Sequence, residues 1–197
     1  VPSNRIYRKL LIALAISAGT TVNAQNVIPT RMDGQPLMYM EAGKIKGCGL
    51  RIVGGDHRST SDVFDMFDVS INLYREAGAM VKLMAYSTTV AEMKSNSAAG
   101  KVPATAKVVG GWIKAEGAAA TDPGKSSAVP GSDPNSILYR TSVDSAIAIF
   151  KANLESTPVT IGLRKQGAAN ERVYYGKIAM SAEETEQHRS CISEMLR

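Results

Sequence analysis

Between Asp56 and Asp68 the chain sets four carboxylates (Asp56, Asp62, Asp65 and Asp68) and the imidazole of His57 within thirteen residues. An imidazole oriented by a neighbouring carboxylate can act as a general base, so His57 with Asp56 or Asp62 is a candidate hydrolytic centre. The same donors could hold a divalent cation, although their spacing is not that of an EF-hand loop. The competing reading is a solvated acidic edge, with Asp68 at an exposed strand position. The nine methionines are the second chemical feature. Met38 and Met40 form a Met-x-Met pair, and Met80 and Met84 share one strand face. Thioethers suit Cu(I), but methionine is equally an adaptable packing residue. Trp112, the only tryptophan, follows Gly110 and Gly111. Small neighbours leave its ring open to a ligand or partner, the alternative being ordinary packing.

The string Arg51-Ile52-Val53-Gly54-Gly55, shortly after Cys48, resembles the activation junction of chymotrypsin-like serine protease zymogens. The resemblance implies cleavage after Arg51 and a Ser-His-Asp mechanism. That mechanism needs a histidine positioned between a carboxylate and a serine beside oxyanion donors. The family's strings, similar to Ala-Ala-His-Cys and Gly-Asp-Ser-Gly-Gly, do not occur, and His57 lies only five residues beyond Ile52. The likeness covers five residues and brings no catalytic set. No Gly-x-Ser-x-Gly, His-Glu-x-x-His or phosphate-cradling glycine loop is present, and no cofactor motif is found.

The elements that position these groups begin with a predicted export signal. Arg5, Arg8 and Lys9 precede the apolar run Leu10–Gly19, and Val22-Asn23-Ala24 offers small residues for cleavage after Ala24. Residues 25–197 then carry twenty basic and eighteen acidic residues, so the net charge of +5 belongs largely to the leader. No dense basic stripe remains, which excludes nucleic acid as the expected partner. The apolar run is too short to span a bilayer, leaving no transmembrane segment after cleavage. In an exported chain the two cysteines, Cys48 and Cys191, are expected to pair. Neither sits in a Cys-x-x-Cys or Cys/His cluster that would favour a reactive thiol or a metal site.

Alternation predicts strands. Cys48, Leu50 and Ile52 face inward on one, which Gly54-Gly55 closes. Phe67, Val69, Ile71 and Leu73 do so on the next, which returns through a turn at 75–78 as the strand 79–87. A helix start is expected after Thr88 or Thr89, and a further strand at Lys107–Glu116. Residues 117–136, rich in Ala, Gly, Ser and Pro, read as a flexible loop. A helix follows, with Thr141 and Asp144 as a capping box and Val143, Ala146, Ile147, Phe150 and Leu154 on one face. Residues 159–165 and 172–180 read as a second hairpin. Ser181 and Glu184 cap a last helix on which His188, Cys191, Ile192 and Met195 share a face.

Two strings recur in the same order. Arg51–Gly55 matches Lys107–Gly111, and Val69–Leu73 matches Val159–Leu163, which suggests an internal duplication of a β unit. Together these features predict one α+β domain over residues 25–197, with a mainly antiparallel sheet of about six strands, two hairpins, two helices and one disulfide. The expected function is that of an exported bacterial envelope, periplasmic or secreted protein that binds a protein or small ligand without catalysis. A hydrolase built on His57, Asp56 and Asp62 is the alternative, and a Met-based copper protein the third reading.

Overall fold

Strict alternation over Phe67–Leu73 gives this segment one apolar face, and its neighbours repeat the pattern in register. A computed structural model describes residues 27–56, 63–89, 91–92, 94–95, 104–121 and 133–196. The predicted leader, His57, Asp62 and the middle of the Ala/Gly/Ser/Pro-rich stretch lie outside the described residues. The strands are β1 (Val27–Pro29), β2 (Met32–Glu41), β3 (Lys44–Gly55), β4 (Val63–Tyr74), β5 (Gly78–Thr89), β6 (Thr105–Ala106), β7 (Val108–Ala115), β8 (Ile137–Thr141), β9 (Val159–Lys165), β10 (Arg172–Gly176) and β11 (Ile178–Ala179). The helices are α1 (Val143–Leu154) and α2 (Ala182–Met195).

Seven strands form one sheet in the order β11-β2-β3-β4-β5-β6, with β8 pairing β5 beside β6. Its inner face is built in rows that the register sets directly: Cys48–Leu73–Ala79, Leu50–Ile71–Val81, Ile52–Val69–Leu83 and Gly54–Phe67–Ala85. All eleven side chains in these rows other than Gly54 are buried. Each large aliphatic one removed from water contributes roughly 1.5–3 kcal/mol. The four-stranded sheet β1-β10-β9-β7 covers the Phe67 end, where the Phe67 and Tyr174 rings pack at a tilt of 50° with centroids 4.7 Å apart. The helix α1 packs chiefly on β7 and also on β4 and β5. The helix α2 packs on β2 and β3, where Cys48 and Cys191 form the expected disulfide with their Cα atoms 5.9 Å apart.

The α+β class with two helices and one disulfide therefore holds, while two finer expectations need correcting. Eleven strands are present among the described residues, well above six, and the sheets are mixed. The parallel pairings, β1 with β10 and β2 with β11, arise at one corner where two chain segments pass side by side from one sheet to the other. The Thr30 N–H donates to the Tyr175 carbonyl at this crossing. A side chain at Gly176 would lie 2.0 Å from the Thr30 carbonyl oxygen, so the close passage requires glycine. The segment predicted as a single strand 172–180 is split here, and the residues before Lys46, in which no strand is predicted, supply β1 and β2.

Local signals fare unevenly. Ser181 and Glu184 form the expected capping box, and Thr89 and Glu92 make another that starts helical structure after β5. The cap of α1 is Ser142 rather than Thr141, its hydroxyl accepting from the Ser145 N–H. The buried face of α1 is Ala146, Ile149, Phe150 and Asn153; Val143 and Ile147 are 42% and 38% exposed. The Ala/Gly/Ser/Pro-rich stretch is anchored where it is described. Thr121 is fully buried, accepting from the Ile113 N–H at 2.9 Å and sharing a 2.7 Å hydroxyl contact with Tyr139.

The duplicated strings occupy equivalent neighbours but different registers. In both cases the Gly-Gly strand pairs antiparallel with the second string, which then turns into its hairpin partner. Yet Gly54 faces Phe67, whereas its counterpart Gly110 faces Arg164, seven positions beyond Thr157, the counterpart of Phe67. The Arg51–Gly55 string itself lies inside β3 with Ile52 fully buried, which is a strand interior and no cleavage junction.

Candidate binding face and the polar clamp between the sheets

The acidic stretch divides between two surfaces. Asp56 follows β3, and its N–H donates to the Asp65 carbonyl at 2.9 Å. Asp68 lies on the outer face of β4 as expected, but it is buried by a bidentate partner: the Arg51 Nε and Nη2 donate to its carboxylate at 3.0 and 2.6 Å. Asp65 departs further from a solvated edge, for it points inward at the Phe67 end and is 8% exposed. Its carboxylate receives the Lys165 ammonium, the Arg172 guanidinium at 2.5 Å and the Ser87 hydroxyl at 2.7 Å. Burial alone would raise its pKa. The hydrogen bonds and charges of Lys165, Ser87 and Arg172 outweigh that and hold the carboxyl below the ordinary carboxylate range.

Ser87 and Lys165 also touch directly, the ammonium donating to Ser87 Oγ at 2.7 Å. A serine beside a lysine is the geometry of a nucleophile and its base. Here the lysine donates to both Asp65 and Ser87 Oγ, the direction opposite to that of a base receiving the serine proton. The serine instead gives that proton to a weakly basic carboxylate. The arrangement ties β4 and β5 of the larger sheet to β9 and β10 of the smaller one.

Trp112 stands on the outer face of the four-stranded sheet, outside the core. The register aligns Trp112, Gly162, Val173 and Val27 in one row across all four strands. The indole lies flat over Gly162, where an added Cβ would fall 2.4 Å from its Cε2 atom. On the same face Val173 is only 3% exposed, shielded by its neighbours in the row. The indole N–H donates to Glu171 at 2.9 Å, and the Lys114 ammonium stands 5.7 Å from the ring centroid. Val27 and Tyr175, farther along the same face, are 48% and 41% exposed. The result is a fixed aromatic and aliphatic strip at the surface. The flanking cations, Lys114 and Arg164, are both exposed, and Arg164 has no ion-pair partner among the described residues.

The methionine pairs sit on different strands. On β2, Met38 lies opposite Cys48 and Met40 opposite Ile45, the residue added at the register shift being Lys46 of β3. Met80 and Met84 are on the outer face of β5, roughly 13 Å apart along the strand and with Lys82 between them. An ammonium in the middle of the row is a poor neighbour for a bound cation. No group of three or more His, Cys, Asp or Glu side chains suited to a metal is found among the described residues.

Between the helices, Ile147, Phe150 and Leu154 of α1 face Ile192 of α2 and Leu196 across a groove of about 190 Å³. Sequence reasoning missed the clamp, because its members come from four strands, and missed Glu171 as the partner of Trp112. One readable signal was Gly162, a glycine interior to a strand, which often marks close approach. No family model, curated protein or solved structure matches the chain.

Proposed function

We propose that this is an exported, non-catalytic binding protein and that the Trp112 face of the four-stranded sheet is its contact surface. The observation carrying this reading is the strip itself: a tryptophan immobilised over Gly162 and tied to Glu171, beside exposed Val27 and Tyr175. An aromatic ring already fixed in place loses little entropy on binding. Both flanking cations favour a partner that brings an apolar or aromatic group together with negative charge.

The buried disulfide supports a periplasmic or secreted location. No helix among the described residues is long and apolar enough to cross a membrane. The hydrolytic alternative keeps one described residue, Asp56, and would require His57→Ala to abolish a turnover that the binding reading does not include.

The test uses the anionic aromatic dye 8-anilinonaphthalene-1-sulfonate, excited through Trp112, the only tryptophan. The expected result is saturable, salt-sensitive energy transfer that weakens in Lys114→Glu and Arg164→Glu and is unchanged in Lys82→Glu on the other sheet. Transfer that is insensitive to both the Lys114 and Arg164 substitutions would overturn the assignment of this face.

A further inference from the structure

We propose that His188 is an acid-sensitive lock on α2, so that acidification releases the helix from the sheet while the Cys48–Cys191 disulfide keeps it tethered. The attachment of α2 is narrow: His188, Cys191 and Met195 are its buried residues. Cys191 is covalently held, which leaves His188 as the central non-covalent anchor. The imidazole is 1% exposed, and neither ring nitrogen has a hydrogen-bond partner. It packs edge-to-face with Phe150 of α1, centroids 4.9 Å apart, and an aromatic ring offers no ordinary acceptor for an N–H.

The ionised groups on every element packed around it are engaged elsewhere or exposed. On α2, Glu184 caps Ser181, Glu186 pairs with Arg189, and Glu183 and Glu194 are exposed. On α1, Lys151 pairs with Glu155 and Asp144 is exposed. On β2 and β3, Lys46 binds Glu41 and Glu76, Asp33 pairs with Arg31, Arg51 with Asp68 on the opposite face, and Lys44 is exposed. Nothing stands ready to stabilise an imidazolium, and burial lowers the pKa of His188 from 6.5 to about 4.

The sign follows directly. Above pH 6.5 the imidazole is neutral whether α2 is docked or free. As pH falls toward 4 the free form takes up a proton that the docked form refuses, and docking weakens. The displacement corresponds to about 300-fold at its limit and on the order of 80-fold at pH 4.5. Release uncovers Phe150 and the stretch of β2 and β3 around Cys48, an apolar surface absent at neutral pH.

The experiment is hydrogen exchange of the oxidised full chain at pH 7.5 and pH 4.5, corrected for intrinsic exchange rates. Protection within residues 182–196 should drop on the order of 80-fold in the wild type, hold in His188→Leu, and stay constant throughout in β4. Unchanged protection of α2 at pH 4.5, an equal loss in His188→Leu, or a parallel loss in β4 would each overturn the proposal. Should His188→Leu fail to fold, an NMR titration of the two histidines, with His57→Ala for assignment, decides instead. A His188 pKa below about 5 upholds the lock, and a value near 6.5 sinks it.

Discussion

Replacing Asp65 by Asn tests whether the two sheets are held together by the clamp at their shared end. The substitution keeps the shape and removes the charge, leaving Lys165 and Arg172 facing each other across a neutral amide. Breaking a buried ion pair from one side costs roughly 3–5 kcal/mol, because a charge is left stranded. The Lys165 and Arg172 side chains here are 22% and 46% exposed and can recover some hydration, so about 2–3 kcal/mol is the appropriate figure. Urea unfolding followed by circular dichroism reads this as a lower midpoint at unchanged slope. The Asp65 pKa is lowered in the folded state, so its contribution is full at neutral pH and is lost as pH falls through that folded value. Wild type and Asp65→Asn should therefore converge in stability as pH falls below that folded value. Lys165→Met, combined with Asp65→Asn, should cost less than the sum of the two single changes. An Asp65→Asn variant within about 0.5 kcal/mol of wild type at pH 7, or additivity in that cycle, would refute the clamp.

Three further perturbations follow from the packing. Reducing Cys48–Cys191, which spans 143 residues of sequence, should destabilise by about 5 kcal/mol at most on chain entropy, measured by unfolding with and without reductant. Gly162→Ala places a methyl group against the Trp112 ring, and a red-shifted tryptophan emission with a loss of about 1–3 kcal/mol is expected. Tyr139→Phe removes the hydroxyl that meets buried Thr121, which should cost about 1–2 kcal/mol and raise proteolytic cleavage within residues 117–136.

What was legible in the sequence is what one period of side chains can decide. Phe67 to Leu73 alternates because one face is buried, and the register of β3, β4 and β5 propagates that face without interruption. Cys48 and Cys191 were readable as a pair because each falls on an inward period. β1 and β2 were not readable: they change sheets at Thr30, and Gly34 and Pro36 give β2 the composition of a turn or an edge. The α1 face was misread because Val143, Ile147 and Leu154 are as apolar as the residues that are buried. Only the position of the sheet decides which stripe turns inward. Asp65 was misread for a similar reason. Its partners Ser87 and Lys165 lie 22 and 100 residues away, and no local pattern announces that the end of one strand meets another sheet.

The distribution of charge and aromatic surface bears on function more than the acidic stretch does. Asp65, Lys165, Arg172 and Ser87 satisfy one another, Asp68 satisfies Arg51, and the cysteines are joined. Among the described residues these groups hold two sheets and a helix together, and a proton-transfer role for any of them would first require breaking that contact. Trp112 is the opposite case. It is held rigidly by Gly162 and Glu171, yet its strip continues into exposed Val27 and Tyr175, which nothing in the fold uses. A rigid aromatic row that ends in unused apolar surface is costly to leave in water unless something binds there. The balance between engaged polar groups and unengaged apolar ones among the described residues is the physical ground on which the binding reading is proposed.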